Sequence, residues 1–382
     1  MDFGFTEEQL QIKKAVREFA LREIAPYVAA YDQEERFPVE IVKKAAAQGY
    51  MGGVVPVEYG GAGLDHVTYT LIIEEISRVC QIVGCALSFP SGLAGSAILR
   101  YGTEEQKQKY LKPLAQGEAF ASVALTEPGS GTDVAAMRTT CRRDGAYYVL
   151  NGSKAWISFL DVCNWVLTFA TLDRSLGRRG ICAFVIERGT PGMTFRPYTH
   201  KLGFKPLCTG EVVFEDCRVP VENRIGEEGQ GFHVAMCAVE NGRLGVAARA
   251  VGMAQACLDE VIAYARERVV FGQPIGKFQL VQSKITDMVV GIESARYLTY
   301  RLAWLKDQGV PDVRREASIA KMVATDVALM AATHAVQIFG AYGCSGEYPV
   351  SRYYRDAKVF QIVEGVNELH RVLIAEYTLG YR

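Results

Sequence analysis

The chain has 382 residues, 49% of them hydrophobic and 22% charged, a composition typical of a soluble globular protein, and a length that favours about two or three packed units. Its 42 basic and 43 acidic residues give a net charge of -1, which excludes the basic surface of a protein that grips nucleic acid or an anionic membrane. Ten cysteines without a C-x-x-C pair and five histidines without i, i+4 spacing argue against a metal site and a redox dithiol.

The N-terminus, MDFGFTEEQL, lacks the basic start and apolar core of a signal peptide. No uninterrupted run of apolar residues is long enough to predict a membrane span. We therefore expect a cytoplasmic protein without membrane insertion, whose cysteines are buried free thiols.

The first third of the chain has the patterns of helices. Thr6 with Gln9, and Thr103 with Gln106, have the spacing of capping boxes, and apolar residues follow Thr6 at helical intervals. These signals and the segments between them predict an all-α domain over residues 1–117.

The pattern then changes to short strands divided by turn residues. The stretch AYYVLNGSKAWIS has two β-rich runs around Asn151-Gly152, the strongest short signal for a hairpin, and four further β-rich runs follow it. They predict a compact β-barrel or sandwich domain over residues 118–230.

Long helical periods return over residues 231–382, where three or four antiparallel helices would make a bundle. The expected fold class is therefore α+β and multidomain, in the order α, β, α.

A glycine-rich stretch, TEPGSGTD at residues 126–133, has two interpretations. It lacks the third glycine and the strand-helix-strand context of a nicotinamide-binding Rossmann motif. It is either a surface turn or a loop in which Gly129 and Gly131 let backbone N–H groups approach an anion or a flat ring. Trp156 is likewise either core of the β domain or the wall of a cofactor site.

Two further motifs each have two interpretations as well. Arg268 with Phe271 and Gln279 is either a solvated loop or a site that reads a phosphate and an adenine ring. Glu240 and Arg243, at i, i+3 on one helix face, are either a surface ion pair or part of a binding site.

Glu364 lies in the stretch VFQIVEGVNELHR, directly after an apolar run and before Gly365. One interpretation is a carboxylate that stabilises the start of the last helix through the helix dipole. The alternative is a catalytic base whose pKa is raised because apolar walls keep water away from it.

Taken in order, ALTEPGSGTD, NGSKAWIS, ERVVFGQPIGKFQ, AVQIFGAYG and YPVSRYYRDAKVFQIVEG resemble the acyl-CoA dehydrogenase family over essentially the whole chain. The resemblance implies an N-terminal helical domain, a central β domain and a C-terminal four-helix bundle. It also implies a homotetramer or dimer that holds FAD between the β domain, the bundle and a neighbouring subunit.

The resemblance assigns roles position by position. The loop around the flavin ring and pyrophosphate corresponds to Val123, Leu125, Thr126, Gly131 and Thr132, and the segment against the isoalloxazine to Trp156 and Ser158. The adenine half of FAD corresponds to Arg268, Phe271, Phe278 and Gln279, the adenosine-side turn to Gln337, Gly340 and Ala341, and the segment beside the pyrophosphate to Asn367 and Glu368. Substrate contacts correspond to Thr132, Glu240, Arg243, Glu364 and Gly365.

Glu364 matches the catalytic base of the family, which removes the α-proton of an acyl-CoA thioester while the β-hydrogen leaves as hydride to flavin N5. Relatives polarise the thioester carbonyl with the backbone N–H of the base residue and a flavin hydroxyl. One branch of the family carries its base at the position of Gly242, so Glu364 has no local competitor. Val366 and Ser158 stand where relatives commonly have threonine.

Glutaryl-type relatives hold a second carboxylate with an arginine in the region of VGCALSFPSGLAGS, a stretch without charge here. We therefore expect an uncharged acyl group that is short, branched or alicyclic, of the cyclohexanecarboxyl-CoA type, and an electron-transfer flavoprotein as electron acceptor. An acyl-CoA oxidase or an enoyl-CoA reductase of the same fold, and a non-catalytic acyl-CoA-binding flavoprotein, are the alternatives.

Overall fold

The computed structural model describes residues 4–381. Between residues 7 and 115 its regular elements are all helical. They are α1 Glu7–Phe19, α2 Val28–Glu34, α3 Val39–Ala47, α4 His66–Ser77, α5 Gln81–Ser88, α6 Leu93–Tyr101, α7 Glu104–Gln106 and α8 Lys112–Ala115. Both predicted capping boxes are confirmed, because the Thr6 and Thr103 side chains accept the backbone N–H of Gln9 and Gln106 and each glutamine returns a hydrogen bond.

A β domain follows. Its strands are β1 Ala121–Ala124, β2 Thr140–Asp144, β3 Tyr147–Ser158, β4 Trp165–Thr171, β5 Ile181–Glu187, β6 Met193–Pro197, β7 Thr209–Pro220 and β8 Arg224–Ile225. They form one sheet in the order β6-β7-β3-β2-β4-β5-β8, with β1 parallel to β4. Alternate residues of β2, β3, β4, β5 and β7 share a core that belongs to this domain alone.

The predicted hairpin at Asn151-Gly152 is wrong. β3 passes straight through these residues, and the turn lies at Gly145, whose φ of 60° suits the tight connection between β2 and β3. Asn151 pairs with Thr140 on β2, while a bulge against β7 falls beside Gly152. A glycine is needed there because a Cβ on it would come within 2.7 Å of Thr139 Cα.

Helices return at residue 231. They are α9 Gly231–Glu267, α10 Gln279–Asp307, α11 Arg314–Phe339, α12 Val350–Phe360 and α13 Asn367–Leu379, with the two-residue strands β9 Val269–Val270 and β10 Gln273–Pro274 between α9 and α10. α9, α10 and α11 pack together, and α12 and α13 pack on α11. The predicted order of helical, β and helical domains is thereby confirmed.

α9 joins the two helical domains. It packs against α4, α5 and α6 of the first domain and against α10, α11 and α12 of the last. From Gly242 to Leu258 nearly every side chain is buried, and most are small and apolar, as expected of a helix enclosed on all sides. One continuous hydrophobic core therefore runs through both helical domains.

Two helical stretches, Gln81–Tyr101 and Arg314–Cys344, have the length and apolar composition of a membrane span. The first is mostly buried inside the protein, and core helices of folded proteins commonly meet the same criteria.

Candidate active site

Glu364 lies in the turn between α12 and α13 and faces α9. Its φ of 54° is in the left-handed region, a backbone conformation that costs free energy for a residue with a side chain. The last helix begins at Asn367 with Val366 as its N-cap, so Glu364 precedes the helix and does not belong to its first turn. The interpretation of Glu364 as a helix-dipole residue is therefore wrong.

The Glu364 carboxylate is enclosed although the residue as a whole is only half-buried. Its Oε2 atom is buried and has no hydrogen-bond partner among the described residues. A Cβ built on Gly242 would come within 2.2 Å of Oε2, so the glycine on α9 leaves the room that the carboxylate occupies in this position. Desolvation raises the pKa of Glu364 to about 7, against the opposing charges of Arg249, Lys321 and Arg243.

A buried lysine stabilises the turn of Glu364 through hydrogen bonds. Lys321 on α11 donates from Nζ to the Gly365 carbonyl at 2.7 Å and to Asn367 Oδ1 at 2.9 Å. The Asn367 amide in turn donates to Asp326 Oδ1 and Thr325 Oγ1. The Asn367 side chain, which the resemblance assigns to the cofactor, is thus committed to holding the turn.

Gly365 occupies a backbone position that favours glycine. Its φ is 104°, and a Cβ on it would come within 3.1 Å of His370 Nε2, so both the backbone and the neighbouring histidine disfavour any larger residue. His370 is fully buried, and desolvation lowers its pKa to about 3, so its ring is neutral.

The glycine-rich loop is tied to β3 by a buried ion pair. Lys154, fully buried on β3, donates to Glu127 Oε1 at 2.8 Å and to the Leu125 carbonyl at 3.3 Å. Glu127 also accepts the backbone N–H groups of Arg138 and Thr139. The loop and the strand that leads to Trp156 therefore lie side by side, joined further by the hydrogen bond from Ala155 N–H to the Thr126 carbonyl.

Trp156 is not core. Its side chain is 65% exposed, its φ is 60°, and its ring meets Tyr198 edge-on at 4.9 Å. Gly129 has open space on its Cβ side, and Gly131 approaches only Thr126 at 4.0 Å. An exposed indole beside an open glycine loop fits a flat ring with an anionic tail, as FAD has.

The structure gathers the predicted flavin-ring residues on one side of the β domain. Val123 on β1 and Ser158 on β3 are brought together through the hydrogen bond from Ser122 Oγ to the Ser158 carbonyl. Leu125 and Thr126 follow β1 directly, and Thr132 is exposed at the end of the loop.

The predicted adenine-side residues form a second group at the far end of the bundle. Tyr264 and Phe339 stack at 4.0 Å, which joins the ends of α9 and α11, and Arg268 lies over the Tyr342 ring at 5.7 Å. Phe271 is 92% exposed and touches Phe278 edge-on. The remaining exposed members are Gln279, Gln337, Gly340 and Ala341, and Glu368 is exposed near the turn of Glu364.

Glu240 and Arg243 are not a surface ion pair. Arg243 is only 6% exposed, its Nε has no hydrogen-bond partner, and the described residues include no acid within 4.0 Å of it. Burial lowers the pKa of Arg243 and raises that of Glu240, which is half-buried. Arg243 is thus a buried cation on α9 next to Gly242, which meets Glu364, and Glu240 is partly shielded from solvent.

Sequence reasoning missed three buried cations: Lys154, Lys321 and Arg249. Lys154 stands in a β-rich run and Arg249 in a run of small apolar residues, so each breaks a core pattern, and that break was the available signal. Lys321 has no comparable signal, because its partners on the turn of Glu364 come from a distant part of the chain.

Comparison with known proteins agrees with this geometry. Three family models match: the acyl-CoA dehydrogenase N-terminal domain over residues 6–118, the middle domain over 122–217 and the C-terminal domain over 229–379. The chain is 46% identical over 375 residues to a short-chain specific acyl-CoA dehydrogenase of Clostridium acetobutylicum, covering 98% of this chain and 99% of that one. A 3-(aryl)acrylate reductase of Clostridium sporogenes is 41% identical with the same coverage.

Solved structures of related proteins have the same fold as this chain. A structure described with the electron transferring flavoprotein of Acidaminococcus fermentans superposes with a TM-score of 0.96 at 44% identity, covering 99% of this chain and 100% of that one. A glutaryl-coenzyme A dehydrogenase in complex with glutaryl-CoA superposes with a TM-score of 0.97 at 39% identity, covering 100% and 98%. Together with the enclosed Glu364 carboxylate and the open glycine-rich loop, these matches show that the chain belongs to the acyl-CoA dehydrogenase family.

Proposed function

We propose that this FAD-dependent acyl-CoA dehydrogenase acts on a short-chain acyl-CoA thioester, with Glu364 as its catalytic base. The observation that carries the assignment is the Glu364 carboxylate, whose Oε2 is buried, unpartnered and pressed against Gly242. A pKa of about 7 is close to that of an efficient general base at neutral pH. The short-chain relative supports the chain length.

Each residue of the site has its own role in the proposed reaction. Glu364 takes the α-proton into its unpartnered Oε2. Its own backbone N–H has no hydrogen-bond partner among the described residues, which supports its donation to the thioester carbonyl as negative charge develops there. Lys321 holds the Gly365 carbonyl and so fixes the turn. Bound FAD would supply the hydride acceptor, so that loss of the α-proton and of the β-hydrogen would convert the thioester into the 2-enoyl product.

The direct test is anaerobic addition of butyryl-CoA to the purified yellow protein. We expect loss of the flavin absorbance and formation of the 2-enoyl-CoA, identified by mass spectrometry. Absence of bleaching with a panel of straight, branched, cyclic and dicarboxylic thioesters would reject the proposal. Rapid peroxide formation in air would indicate an oxidase instead.

Reduction of an enoyl thioester is the second candidate, favoured by the relative named as a 3-(aryl)acrylate reductase. Microscopic reversibility gives Glu364 the same role in that direction, as a proton donor to the α-carbon. Comparing rates with saturated and unsaturated thioesters, in the presence of matched electron acceptors and donors, separates the two directions.

The proposal extends to partners and compartment. An electron-transfer flavoprotein as acceptor is supported by the related structure described with such a protein. A homotetramer or dimer is supported by the exposure of Phe271 (92%) and Leu280 (78%) at the end of the bundle. A cytoplasmic location is supported by ten cysteines that are all free thiols.

Replacing Lys321 by methionine should move the pH profile of kcat/KM to higher pH. Lys321 lowers the pKa of Glu364, so its removal leaves the desolvation of the carboxylate less opposed and the base is deprotonated at higher pH. Flavin bleaching by butyryl-CoA, followed from pH 6 to 9, measures the shift. Lys358→Met, an exposed lysine on α12, is the control and should leave the midpoint unchanged. A lower or unmoved midpoint in Lys321→Met would contradict this role.

Replacing Arg268 by alanine should weaken FAD binding by about 10- to 100-fold, the loss of a charge-assisted hydrogen bond to phosphate. The ratio of flavin to protein absorbance after dialysis measures retention. Arg266→Ala, an exposed neighbour at the same end of α9, is the matched control. Equal cofactor retention in the two variants would count against a role of Arg268.

A further inference from the structure

α9 carries a charged residue where its neighbours are small and apolar. Arg249 lies between Ala248 and Ala250 and is only 3% exposed. Its Nε has no hydrogen-bond partner, and its Nη1 makes a long hydrogen bond of 3.5 Å to Gln81 Oε1. In residues 4–381 no carboxylate lies within 4.0 Å of it. A guanidinium taken out of water without an anion is unfavourable, so its retention calls for an explanation.

The position of Arg249 relative to the base follows from helix geometry. Gly242, which touches Glu364 Oε2, is seven residues earlier on α9, two turns away on nearly the same face and about 10.5 Å along the axis. Helical side chains lean toward the N-terminus of their helix, so the long Arg249 side chain extends back toward Glu364. In agreement with this direction, Arg249 lowers the pKa of Glu364 more than any other charged group does.

Groups from four other elements surround the guanidinium. The Phe360 ring of α12 lies 5.4 Å from it. On α5, a Cβ built on Gly84 would meet Arg249 Cγ at 3.4 Å, and the Cys85 thiol lies beside the guanidinium. The charge of Arg249 also acts on Tyr69 of α4 and on Glu364, and the buried Asp356 of α12 accepts a hydrogen bond from Gln81, the residue that Arg249 contacts. Arg249 is therefore a buried cation with an unpaired Nε on nearly the same face of α9 as Gly242, which meets Glu364.

We propose that Arg249 binds a carboxylate at the far end of the acyl chain, so that the preferred substrate is a short dicarboxylic acyl-CoA. The inference rests on the proposed function, because a distal carboxylate reaches Arg249 only when the α-carbon of the thioester lies at Glu364. A carboxylate would pair with the planar guanidinium through parallel hydrogen bonds, including the unpartnered Nε.

This inference replaces the expectation of an uncharged acyl group. That expectation was drawn from the stretch VGCALSFPSGLAGS, which has no charge. The structure brings a cation to the same stretch from another helix, against Gly84 and Cys85. A pairing that spans α9 and α5 is invisible in a local stretch of sequence.

A bound carboxylate would also act on the base. Arg249 holds the pKa of Glu364 lower than desolvation alone would. Neutralisation of the guanidinium by the substrate weakens that effect, so Glu364 becomes a stronger base when the correct substrate is bound. An uncharged acyl chain leaves the guanidinium unpaired in an apolar space, which is the kind of mismatch that gives strong discrimination between substrates.

The test compares glutaryl-CoA with butyryl-CoA in two measurements. The first is kcat/KM for anaerobic flavin bleaching by the wild-type holoenzyme and by Arg249→Met. The second is the Kd of each thioester, by calorimetry, in the inactive Glu364→Gln protein and in Glu364→Gln/Arg249→Met. FAD content and thermal stability confirm that each variant is folded, and Arg249→Gln replaces the methionine variant if that protein does not fold.

We expect the wild type to prefer glutaryl-CoA by at least about 100-fold in kcat/KM, the scale set by a charged hydrogen-bonding partner. Arg249→Met should reduce that preference ratio by a similar factor, and the affinity advantage of glutaryl-CoA should vanish in the double variant. A wild-type preference for butyryl-CoA, or a ratio unchanged by the Arg249 variants, would overturn the inference while leaving the proposed function intact. Failure of both thioesters to bleach the flavin would reject the proposed function, and the Kd values would still decide the role of Arg249.

Discussion

Glu364→Gln is expected to slow flavin bleaching by acyl-CoA thioesters by at least about 10³-fold, within the range that a general base contributes. Glutamine has nearly the shape of glutamate but cannot accept the α-proton, so FAD content and thioester affinity should persist. Stopped-flow absorbance with butyryl-CoA measures the rate. Glu347→Gln, the same change at an exposed position, is the control and should bleach like the wild type.

The same variant should be more stable than the wild type above pH 7. The pKa of Glu364 is about 7 in the folded protein and near its ordinary value of 4.5 when unfolded. The contribution of Glu364 to the free energy of unfolding therefore decreases as the pH rises from 4.5 through 7. At higher pH the buried carboxylate lowers the free energy of unfolding by up to about 3 kcal/mol. The melting temperature of Glu364→Gln should exceed that of the wild type at pH 8, with the difference shrinking toward pH 5 and vanishing below pH 4.5. A lower melting temperature at pH 8 would contradict the enclosed carboxylate.

Lys154→Met is expected to have the second large effect, a loss of about 3–5 kcal/mol in the free energy of unfolding. The side chains of Lys154 and Glu127 are 0% and 4% exposed, so the substitution leaves a buried carboxylate without its cation. Burial lowers the pKa of Lys154 to about 8, yet Glu127 keeps the lysine charged, and the pair joins the glycine-rich loop to β3. Denaturant unfolding measures the loss, and cofactor content should fall with it because the loop is released.

Lys109→Met provides the matched control. Lys109 pairs with Glu187 at 2.6 Å, but the two side chains are 59% and 48% exposed. Exposed pairs contribute at most about 1 kcal/mol because water and salt screen them. If Lys154→Met were no more destabilising than Lys109→Met, and FAD were retained equally, the buried pair would have no role in holding the flavin loop.

Much of the fold follows from local patterns in the sequence. The capping boxes at Thr6 and Thr103 and the change from helical to alternating periodicity predicted the three-part architecture, because such signals act within a few residues. The turn assigned to Asn151-Gly152 failed because a bulge uses the same residue types as a hairpin turn, and only the pairing of β3 with β7 distinguishes them.

The site was predictable to the extent that its residues lie in continuous motifs. Glu364 and the glycine-rich loop stand in such stretches, and their resemblance to a family pointed to their roles. Lys321 and Arg249 lie on α11 and α9, and their significance depends on which groups tertiary packing brings beside them. No local pattern contains that information.

The central claim is that Glu364 removes the α-proton while the β-hydrogen leaves to the flavin. Anaerobic stopped-flow bleaching with butyryl-CoA deuterated at C2, and separately at C3, tests it most directly. We predict that deuterium at either carbon slows bleaching in the wild type, and that only the wild type, and not Glu364→Gln, exchanges the C2 hydrogens with D₂O. Full-rate bleaching with C2-deuterated thioester, or C2 exchange that persists in Glu364→Gln, would contradict it.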